Sequence, residues 1–316
     1  MHVLGIDVGG AKTVGLLADL EETIVGTSLR GTGANLQSVG AAGLETVLRS
    51  VIDETLGDRG IVPASICLGV AGMDRPDDEA AVRGVMARLG FAERVLVVND
   101  ALIALVAGVG DEPGVVIVAG TGSMAYGRSA EGRAARAGGW GYVLGDEGSG
   151  YWIGRLALGA AVRHTDGRGP ATTLTPRLLE HFGVERPAEL IRKVYHERLS
   201  ASAIASLAHH VQDALDDGDA VAADILSRAA GELKTAASAV VTRLNMTAEP
   251  FTFVLSGGIF RGVPWLRQEL TRTLPSLASQ SSVVHLQKQP AVGAVRLAIA
   301  DVRGGASLPI YQSASE

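Results

Sequence analysis

Several residue types are scarce in this sequence, and each shortage excludes a class of protein. The chain of 316 residues has a single cysteine, Cys67, so it can form no internal disulfide. That cysteine alone cannot hold a zinc ion or an iron–sulfur cluster. Cys67 lies in the apolar run SICLGVAG, which favours a buried core position over a reactive one.

Basic blocks and long hydrophobic runs are also missing. The net charge is -6, from 34 acidic and 28 basic residues, and no basic cluster marks a nucleic-acid surface. No apolar run reaches the roughly 18 residues that a membrane helix needs. The N-terminus, MHVLGIDVGG, lacks the features of a signal peptide. We therefore expect a cytoplasmic protein with neither nucleic acid nor membrane as a partner.

Hydrophobic residues are abundant, at 47%, and strands alternate with helices along the chain. This order predicts an α/β protein, and the length favours two domains with a site in the cleft between them. The segment IVAGTGSMAYG repeats the format of the opening IDVGGAKTVGL: an apolar strand, a glycine-containing hairpin and a second strand. We predict a first domain over 1–112 and a second over 113–303 with a helical insertion. The last helix would pack back on the first domain, and 304–316 would be a loose tail.

The first hairpin, GIDVGGAKT, combines an acidic strand end with a glycine turn and a lysine. Backbone N–H groups at Gly9 and Gly10 could approach phosphate oxygens, and Lys12 and Thr13 could add a charge and a hydroxyl. The spacing is not that of a Walker loop. An ordinary hairpin turn, in which Asp7 bonds nearby backbone, is the alternative.

The second hairpin, AGTGS, has the same build and favours the phosphate-binding interpretation. It offers backbone and hydroxyl donors at four consecutive positions: Gly120, Thr121, Gly122 and Ser123. A third glycine pair, Gly257 and Gly258, follows an apolar strand and precedes a helix, where a flat nucleoside could lie against the backbone.

Asp100 is the candidate catalytic residue. It stands in VVNDALIAL, at the C-terminal end of a strand and the start of a helix, where open α/β sheets place ligand contacts. A carboxylate at this place could accept the proton of an attacking hydroxyl during phosphoryl transfer. Alternatively, Asp100 is only the N-cap of the helix.

Two further segments have both a structural and a functional interpretation. In GGWGYVLGDEGSGYW, residues 138–152, six glycines surround two adjacent carboxylates before a helix begins. A bend in which Ser149 and the acids cap that helix would explain them without a ligand. The adjacent His209 and His210 lie in a helical region, and neighbours on a helix point in different directions. We expect them on a solvated surface rather than in a metal site.

The order of these motifs resembles the actin, hexokinase and heat-shock-ATPase superfamily. It is most similar to the N-acetylglucosamine kinase branch of the BadF/BcrA-type ATPases. The likeness runs across nearly the whole chain, through GIDVGGAKT, TGANLQSVG, VVNDALIAL, VAGTGS, GGWGYVLGDEGSGYWIG, AAGEL and LSGGI. It implies two ribonuclease-H-like (actin-like ATPase) domains with an interdomain cleft, and a homodimer.

The resemblance also implies residue roles. Asp100 would be the general base for a sugar 6-hydroxyl, and Asp7 would position Mg²⁺ through water. Both hairpins would grip the phosphates of ATP, and the adenosine pocket would include Gly231, Gly257 and Gly258. The family's sugar-contacting positions match Asn35, Gly139, Trp140, Gly141 and Asp146, with Glu147 beside them. Trp140 would either stack on the sugar or pack beneath its loop.

The chain departs from this pattern at identifiable points. Ala11 stands where the family usually has threonine, which removes one hydroxyl contact to phosphate. One cysteine nearly excludes the cluster-holding activator ATPases, and the zinc-binding cysteines of the repressor-related sugar kinases are missing. The implied activity is ATP-dependent phosphorylation of N-acetylglucosamine or glucosamine. The alternatives are a kinase for another hexose and a non-catalytic regulator that binds sugar or nucleotide.

Overall fold

The computed structural model describes residues 1–31, 33–34, 36–73 and 76–311. These residues form eleven strands and eleven α-helices, and apart from β8 and β11 the strands lie where the hydrophobic pattern predicts them. The strands are β1 (His2–Val8), β2 (Thr13–Asp19), β3 (Ile24–Arg30), β4 (Ile66–Val70), β5 (Val95–Asn99), β6 (Gly114–Ala119), β7 (Ser123–Arg128), β8 (Arg133–Gly138), β9 (Phe251–Ser256), β10 (Ser281–His285) and β11 (Ile310–Tyr311). The helices are α1 (Leu36–Leu56, interrupted at Gly40), α2 (Pro76–Arg88), α3 (Asp100–Val109), α4 (Gly150–Thr165), α5 (Leu174–Phe182), α6 (Ala201–Ser206), α7 (Ala208–Asp216), α8 (Ala220–Arg243), α9 (Ile259–Gly262), α10 (Pro264–Thr273) and α11 (Ala291–Arg303).

The first sheet has the strand order β3-β2-β1-β4-β5. Its first three strands form an antiparallel meander, and β4 and β5 then join parallel to β1 after helical crossovers. The central β1 and β4 are buried along nearly their whole length, as the continuous apolar runs of strands covered on both faces require.

The second sheet repeats this topology. Its order is β10-β9-β6-β7-β8-β11, so β6 takes the place of β1, and β9 and β10 join parallel to it. The two hairpins that the sequence pairs, at the β1–β2 and β6–β7 turns, therefore occupy equivalent positions in two related sheets. The prediction of an α/β protein built from two similar halves is confirmed.

Three apolar cores alternate with the two sheets. One lies between the first sheet and helices α1 and α2, and another lies between the second sheet and the helices that include α4, α8 and α10. The third is a middle core, in which α3 and α11 contact residues of both sheets. Among the described residues, none of the helices is both long and apolar enough to span a membrane.

The last long helix, α11, packs against the first sheet although it follows the second in the chain. The approach is close, because a Cβ at Gly5 of β1 would lie 2.8 Å from the carbonyl oxygen of Ala291. Ser65 donates to the carboxylate of Asp301 at 2.7 Å and adds a polar contact. By its contacts, α11 belongs to the first sheet. The domain limits at residues 112 and 303 stay a prediction.

Two parts of the second half differ from the sequence expectation. The strand β8 has the sequence RAARAG, whose alanines have low strand propensity, so the pattern does not reveal it. The tail from residue 304 was expected to be loose, yet Ile310 and Tyr311 pair with β8. The ring of Tyr311 packs edge-on against Tyr126 at 5.8 Å, and this contact explains the ordered pairing.

Candidate active site

A cleft of about 520 Å³ opens between the two sheets, and most of the predicted site residues line it. A smaller cavity between α4 and α8, of about 360 Å³, contains none of them. The predicted residues in the wall of the cleft are Asp7, Gly9, Gly10, Lys12, Asp100, Gly120, Thr121, Gly122, Ser123, Gly139, Gly141, Asp146, Gly257 and Gly258.

The first hairpin is fixed by its own backbone and by the loop before α1. The N–H of Gly9 donates to the carbonyl of Lys12 at 3.0 Å, and the N–H of Ala34 donates to the carbonyl of Gly9 at 3.1 Å. Gly33 presses directly on this turn, because a Cβ there would lie 2.6 Å from the nitrogen of Ala11. The turn is therefore held from below while Gly10 stays open on its cleft side.

The second hairpin is tied to the start of α4. The N–H groups of Gly150 and Tyr151 donate to the carbonyls of Gly120 and Thr121 at 2.8 and 3.3 Å. These bonds use two of the helix-end donors that have no partner within the helix. The hairpin and the helix therefore form one unit at the wall of the cleft.

The hydroxyl of Ser123, which the sequence analysis assigned to phosphate, has a different partner. It donates to the carbonyl of Glu147 at 2.7 Å. Since a hydroxyl carries one proton, this bond leaves none to donate to a phosphate. Ser123 thus holds the glycine-rich loop, residues 138–149, against the hairpin. The N–H of Gly120 already donates to the carbonyl of Gly122 at 2.9 Å, so Thr121 and Gly122 are the residues that can supply donors from this turn.

Asp100 is not the N-cap of α3. Asn99 has that role, since its Oδ1 accepts from the N–H of Ala101 at 2.9 Å and its backbone is extended. Asp100 is the first helical residue and faces the cleft. Because Asn99 caps the helix, the alternative interpretation, in which Asp100 is only the N-cap of α3, is excluded.

Asp7 and Asp100 form an acidic pair at the floor of the cleft. Burial and then the charge of Asp100 raise the pKa of Asp7 to about 7, although Lys12 acts in the opposite direction. Burial at the floor likewise raises the pKa of Asp100 to about 6, against the backbone N–H groups of Ala101 and Asp100 itself. Burial of two neighbouring carboxylates in a cleft costs desolvation free energy, and such an arrangement is typical of a functional site.

Asp146 joins the glycine-rich loop to the second hairpin. It is buried and has a positive φ of 61°, a conformation that is uncommon for a residue with a side chain. Burial raises the pKa of its carboxyl, while hydrogen bonds from the backbone N–H groups of Ser123 and Gly141 act in the opposite direction. The positive φ angles of Gly139 and Gly141 let the loop turn around this carboxylate.

Trp140 is 64% exposed, and its ring lies 5.5 Å from the guanidinium of Arg136, which lines the cleft. Glu147 is also exposed, and its backbone carbonyl accepts from Ser123. Neither residue lines the cleft.

Two other predicted residues, Thr13 and Gly231, are described and do not line the cleft. Thr13 is buried in β2, where it pairs with Val8 and Arg30. Gly231 is on the exposed side of α8 and does not line the cleft. Asn35 lies outside the described residues.

The cleft also contains cationic residues that the sequence analysis missed. Arg136 comes from β8, Arg261 from α9, and Lys288 from the segment LQKQP between β10 and α11. No local sequence motif marks them, because they come from three separate segments of the chain that only folding brings to the cleft. The one available signal is position, since Arg261 and Lys288 each follow a strand that runs parallel to β6.

Comparison with known proteins gives consistent results. A Clostridium acetobutylicum protein named N-acetylmuramic acid/N-acetylglucosamine kinase is 35% identical over 300 residues, which is 94% of this chain and 98% of that protein. An N-acetyl-D-glucosamine kinase of Dictyostelium discoideum is 32% identical over 310 residues, covering 94% and 97% of the two chains.

A solved structure is similar in fold to this chain over nearly its whole length. A protein of Chromobacterium violaceum, provisionally assigned as an N-acetylglucosamine kinase, superposes with a TM-score of 0.75 at 26% identity, over 94% of this chain and 98% of its own. The family model of the BadF/BadG/BcrA/BcrD ATPases matches residues 4–298. Because this match extends over nearly the whole chain, the protein belongs to the BadF/BadG/BcrA/BcrD ATPase family.

Proposed function

We propose that this protein is an ATP-dependent sugar kinase that phosphorylates the 6-hydroxyl of an N-acetylated amino sugar, N-acetylglucosamine in the first place. The observation that carries the proposal is the carboxylate of Asp100, which is free of the capping role and faces a cleft walled by two glycine hairpins. The names of the Clostridium and Dictyostelium relatives support the substrate class.

Asp100 would act as the general base. Its carboxylate accepts the proton of the 6-hydroxyl while that oxygen forms a bond to the γ-phosphorus of ATP, and the bond from phosphorus to the β,γ-bridging oxygen breaks to release ADP. A pKa of about 6 suits this role, since the group is mainly ionised near neutral pH and is still basic enough to hold the proton.

The phosphate chain of ATP would lie between the hairpins. Gly10 and Gly120 are open on the cleft side, so backbone N–H groups can approach oxygens without a Cβ in the way. Lys12 and Lys288 bring positive charge to the same cleft. Gly257 and Gly258 lie at the third wall, where they would contact the nucleoside.

The residues present also fit Mg²⁺. Magnesium prefers oxygen ligands and commonly uses one or two carboxylates together with substrate phosphates. Asp7 is a buried carboxylate whose pKa is raised by burial and by its acidic neighbour, so a nearby dication would relieve an unfavourable charge. Asp7 would hold the ion, and the ion would neutralise phosphate charge. Lys12 would balance the Asp7 carboxylate from the other side.

The sugar would rest on the loop of residues 139–147. Asp146 can accept hydrogen bonds from two ring hydroxyls, and the backbone at Gly139 and Gly141 can contact others. Trp140, Glu147 and Asn35 are retained as sugar contacts on the family resemblance alone. A homodimer is proposed on the same ground, and a cytoplasmic location is proposed from the sequence analysis.

A coupled assay of ADP release tests the proposal. The panel consists of N-acetylglucosamine, glucosamine, N-acetylmannosamine, glucose and N-acetylmuramic acid, each with ATP and Mg²⁺, and with the Asp100→Asn variant as the inactive control. We expect the highest kcat/KM for N-acetylglucosamine. If no sugar is phosphorylated and one still raises the melting temperature, the protein is a sugar-binding regulator and the kinase proposal is wrong.

A further inference from the structure

Three histidine side chains meet on the surface of the second half, and none of them lines the cleft. His181 is in α5, and His209 and His210 are in the first turn of α7. One ring nitrogen from each residue lies within 4.8 Å of the other two. Within the described residues, no other three histidine, cysteine or acidic side chains come together in this way.

The sequence prediction that His209 and His210 diverge is wrong. Their ring centroids are 3.9 Å apart. The reason is that both rings are held by hydrogen bonds: His209 bonds the carbonyl of Ser206, and His210 bonds His181 on the neighbouring helix. The backbone directions of adjacent helical residues do differ, but these contacts turn the two rings toward one place.

The hydrogen bonds also select which nitrogens are available to a metal. Nδ1 of His209 faces the Ser206 carbonyl, so it carries the proton and Nε2 keeps its lone pair. Nδ1 of His210 faces the carboxylate of Asp213 at 4.0 Å, which leaves Nε2 as the inner nitrogen. Histidines that bind metals usually donate their other N–H to a carbonyl or a carboxylate, as His209 does to Ser206, and His210 would need to close the 4.0 Å gap to Asp213 to do the same.

The third contact is between two imidazoles. Nε2 of His210 lies 3.0 Å from Nδ1 of His181. In this hydrogen bond a single proton lies between the lone pairs of the two ring nitrogens, whereas a metal ion in the same place would accept both lone pairs. Imidazole nitrogens are good ligands for Zn²⁺, Cu²⁺ and Ni²⁺. The tetrahedral distance between nitrogens on one zinc ion is about 3.4 Å, so small side-chain rotations would complete the set.

The charges around the cluster permit a cation. Arg177, a positive side chain that acts on His210, is paired with Asp217. His181 and His209 are exposed, so water can fill a fourth coordination position.

We propose that His181, His209 and His210 form a binding site for a divalent transition-metal ion, with Zn²⁺ as the preferred ion, that links α5 to α7. The link would have a structural effect, because α7 is already attached to the rest of the second half. Oε1 of Gln212 on α7 accepts from the backbone N–H of Trp265 in α10 at 3.0 Å. A bound metal would reinforce the existing contacts between α7 and α5, which include the His210–His181 bond and the Arg177–Asp217 pair.

The test uses full-length protein without a polyhistidine tag, stripped of metal with a chelator. Zn²⁺ is then titrated against a competing indicator dye, and the melting temperature is measured with and without the ion. We expect one Zn²⁺ per chain with a Kd on the order of micromolar or lower, and a rise in melting temperature of about 5 °C at saturation. Co²⁺ should give the visible absorption of a tetrahedral site.

The variants His181→Gln, His209→Gln and His210→Gln should each weaken Zn²⁺ binding by about tenfold or more. His196→Gln is the matched control, since His196 is exposed and lies outside the cluster, and it should bind as the unchanged protein does. Equal Zn²⁺ affinity in the control and in the three cluster variants would overturn the proposal. Sugar phosphorylation is measured separately and should be the same in all four variants, so the metal site and the kinase activity are tested independently.

Discussion

Gly122 lies directly against the carboxylate of Asp146, so the second hairpin and the glycine-rich loop are in contact. A Cβ at position 122 would lie 2.6 Å from Oδ2 of Asp146, closer than any real Cβ contact. A glycine at this place therefore leaves room for the carboxylate of Asp146. The position of Asp146 depends on a residue 24 positions earlier in the chain.

This contact predicts the effect of Gly122→Ala. The added methyl group would displace the end of the Asp146 side chain and weaken its hydrogen bonds from the N–H groups of Ser123 and Gly141, at a cost to folding of about 1–2 kcal/mol. We expect a melting temperature within a few degrees of the original and a KM for the sugar raised by about tenfold, equivalent to about 1.4 kcal/mol of lost binding. Initial-rate kinetics with the sugar and with ATP varied in turn would measure this.

Gly120→Ala is the matched control for that experiment. A Cβ at Gly120 meets nothing within 4 Å and would project into open cleft. We expect it to raise the KM for ATP and leave the KM for the sugar unchanged. The interpretation of the hairpin and the loop as separate phosphate and sugar surfaces would fail if both variants changed the same constant.

Asp100→Asn should lower kcat by about two to four orders of magnitude and leave sugar binding nearly unchanged, because an amide cannot accept the proton of the hydroxyl. Calorimetry with the sugar and the coupled assay measure the two quantities. Asp53→Asn, a change on the exposed face of α1, is the control for the loss of one acidic charge. Unchanged turnover in Asp100→Asn would remove this residue as the base.

The pH dependence of the reaction should reflect the raised pKa of Asp100. Since the base acts in its ionised form, kcat/KM should fall about tenfold for each pH unit below about 6, and level off above it. An unperturbed aspartate would instead place this fall near pH 4. Rates with the sugar far below its KM, measured from pH 5 to pH 9, distinguish the two values.

The parts of the site that the sequence predicts are those carried by a strand end. Asp7, Asp100 and the glycines of both hairpins follow apolar strands, and the ends of neighbouring strands meet at one edge of a sheet. Gly33 could not be assigned a role this way. Its role comes from pressing on the backbone of a turn more than twenty residues earlier, and no local spacing encodes that contact.

Sequence reasoning also fails where the role of a side chain depends on its partners in the folded protein. Ser123 and Asp100 are chemically suited to the roles assigned to them, but their neighbours decide the outcome. The hydroxyl of Ser123 donates to the Glu147 carbonyl, whereas Asn99 caps α3, so that the carboxylate of Asp100 faces the cleft. The same is true of His209 and His210, since the third histidine of their cluster comes from a different helix.

Asp100→Asn should also change stability in a way that depends on pH. A carboxyl whose pKa is raised in the folded state stabilises the fold fully below its unfolded pKa near 4, and this contribution is lost as pH rises through about 6. At pH 8 the variant should therefore melt about 3 °C above the unchanged protein. At pH 5 the difference should shrink. A variant that is less stable at pH 8 would show that the Asp100 carboxylate is well compensated in its site.

Gly257→Ala tests the third wall of the cleft. Gly257 has a φ of 121°, and a Cβ there would meet the backbone of Ala119 at the end of β6, which cannot move aside without disturbing the second sheet. The strain and the clash together should cost about 2–4 kcal/mol of unfolding free energy. The adjacent Gly258→Ala is the control, because its backbone is in the ordinary helical region and a Cβ there has no close neighbour. Urea denaturation of the two variants should give a clearly lower midpoint for Gly257→Ala alone, and equal midpoints would mean that the strand end at Ala119 can adjust.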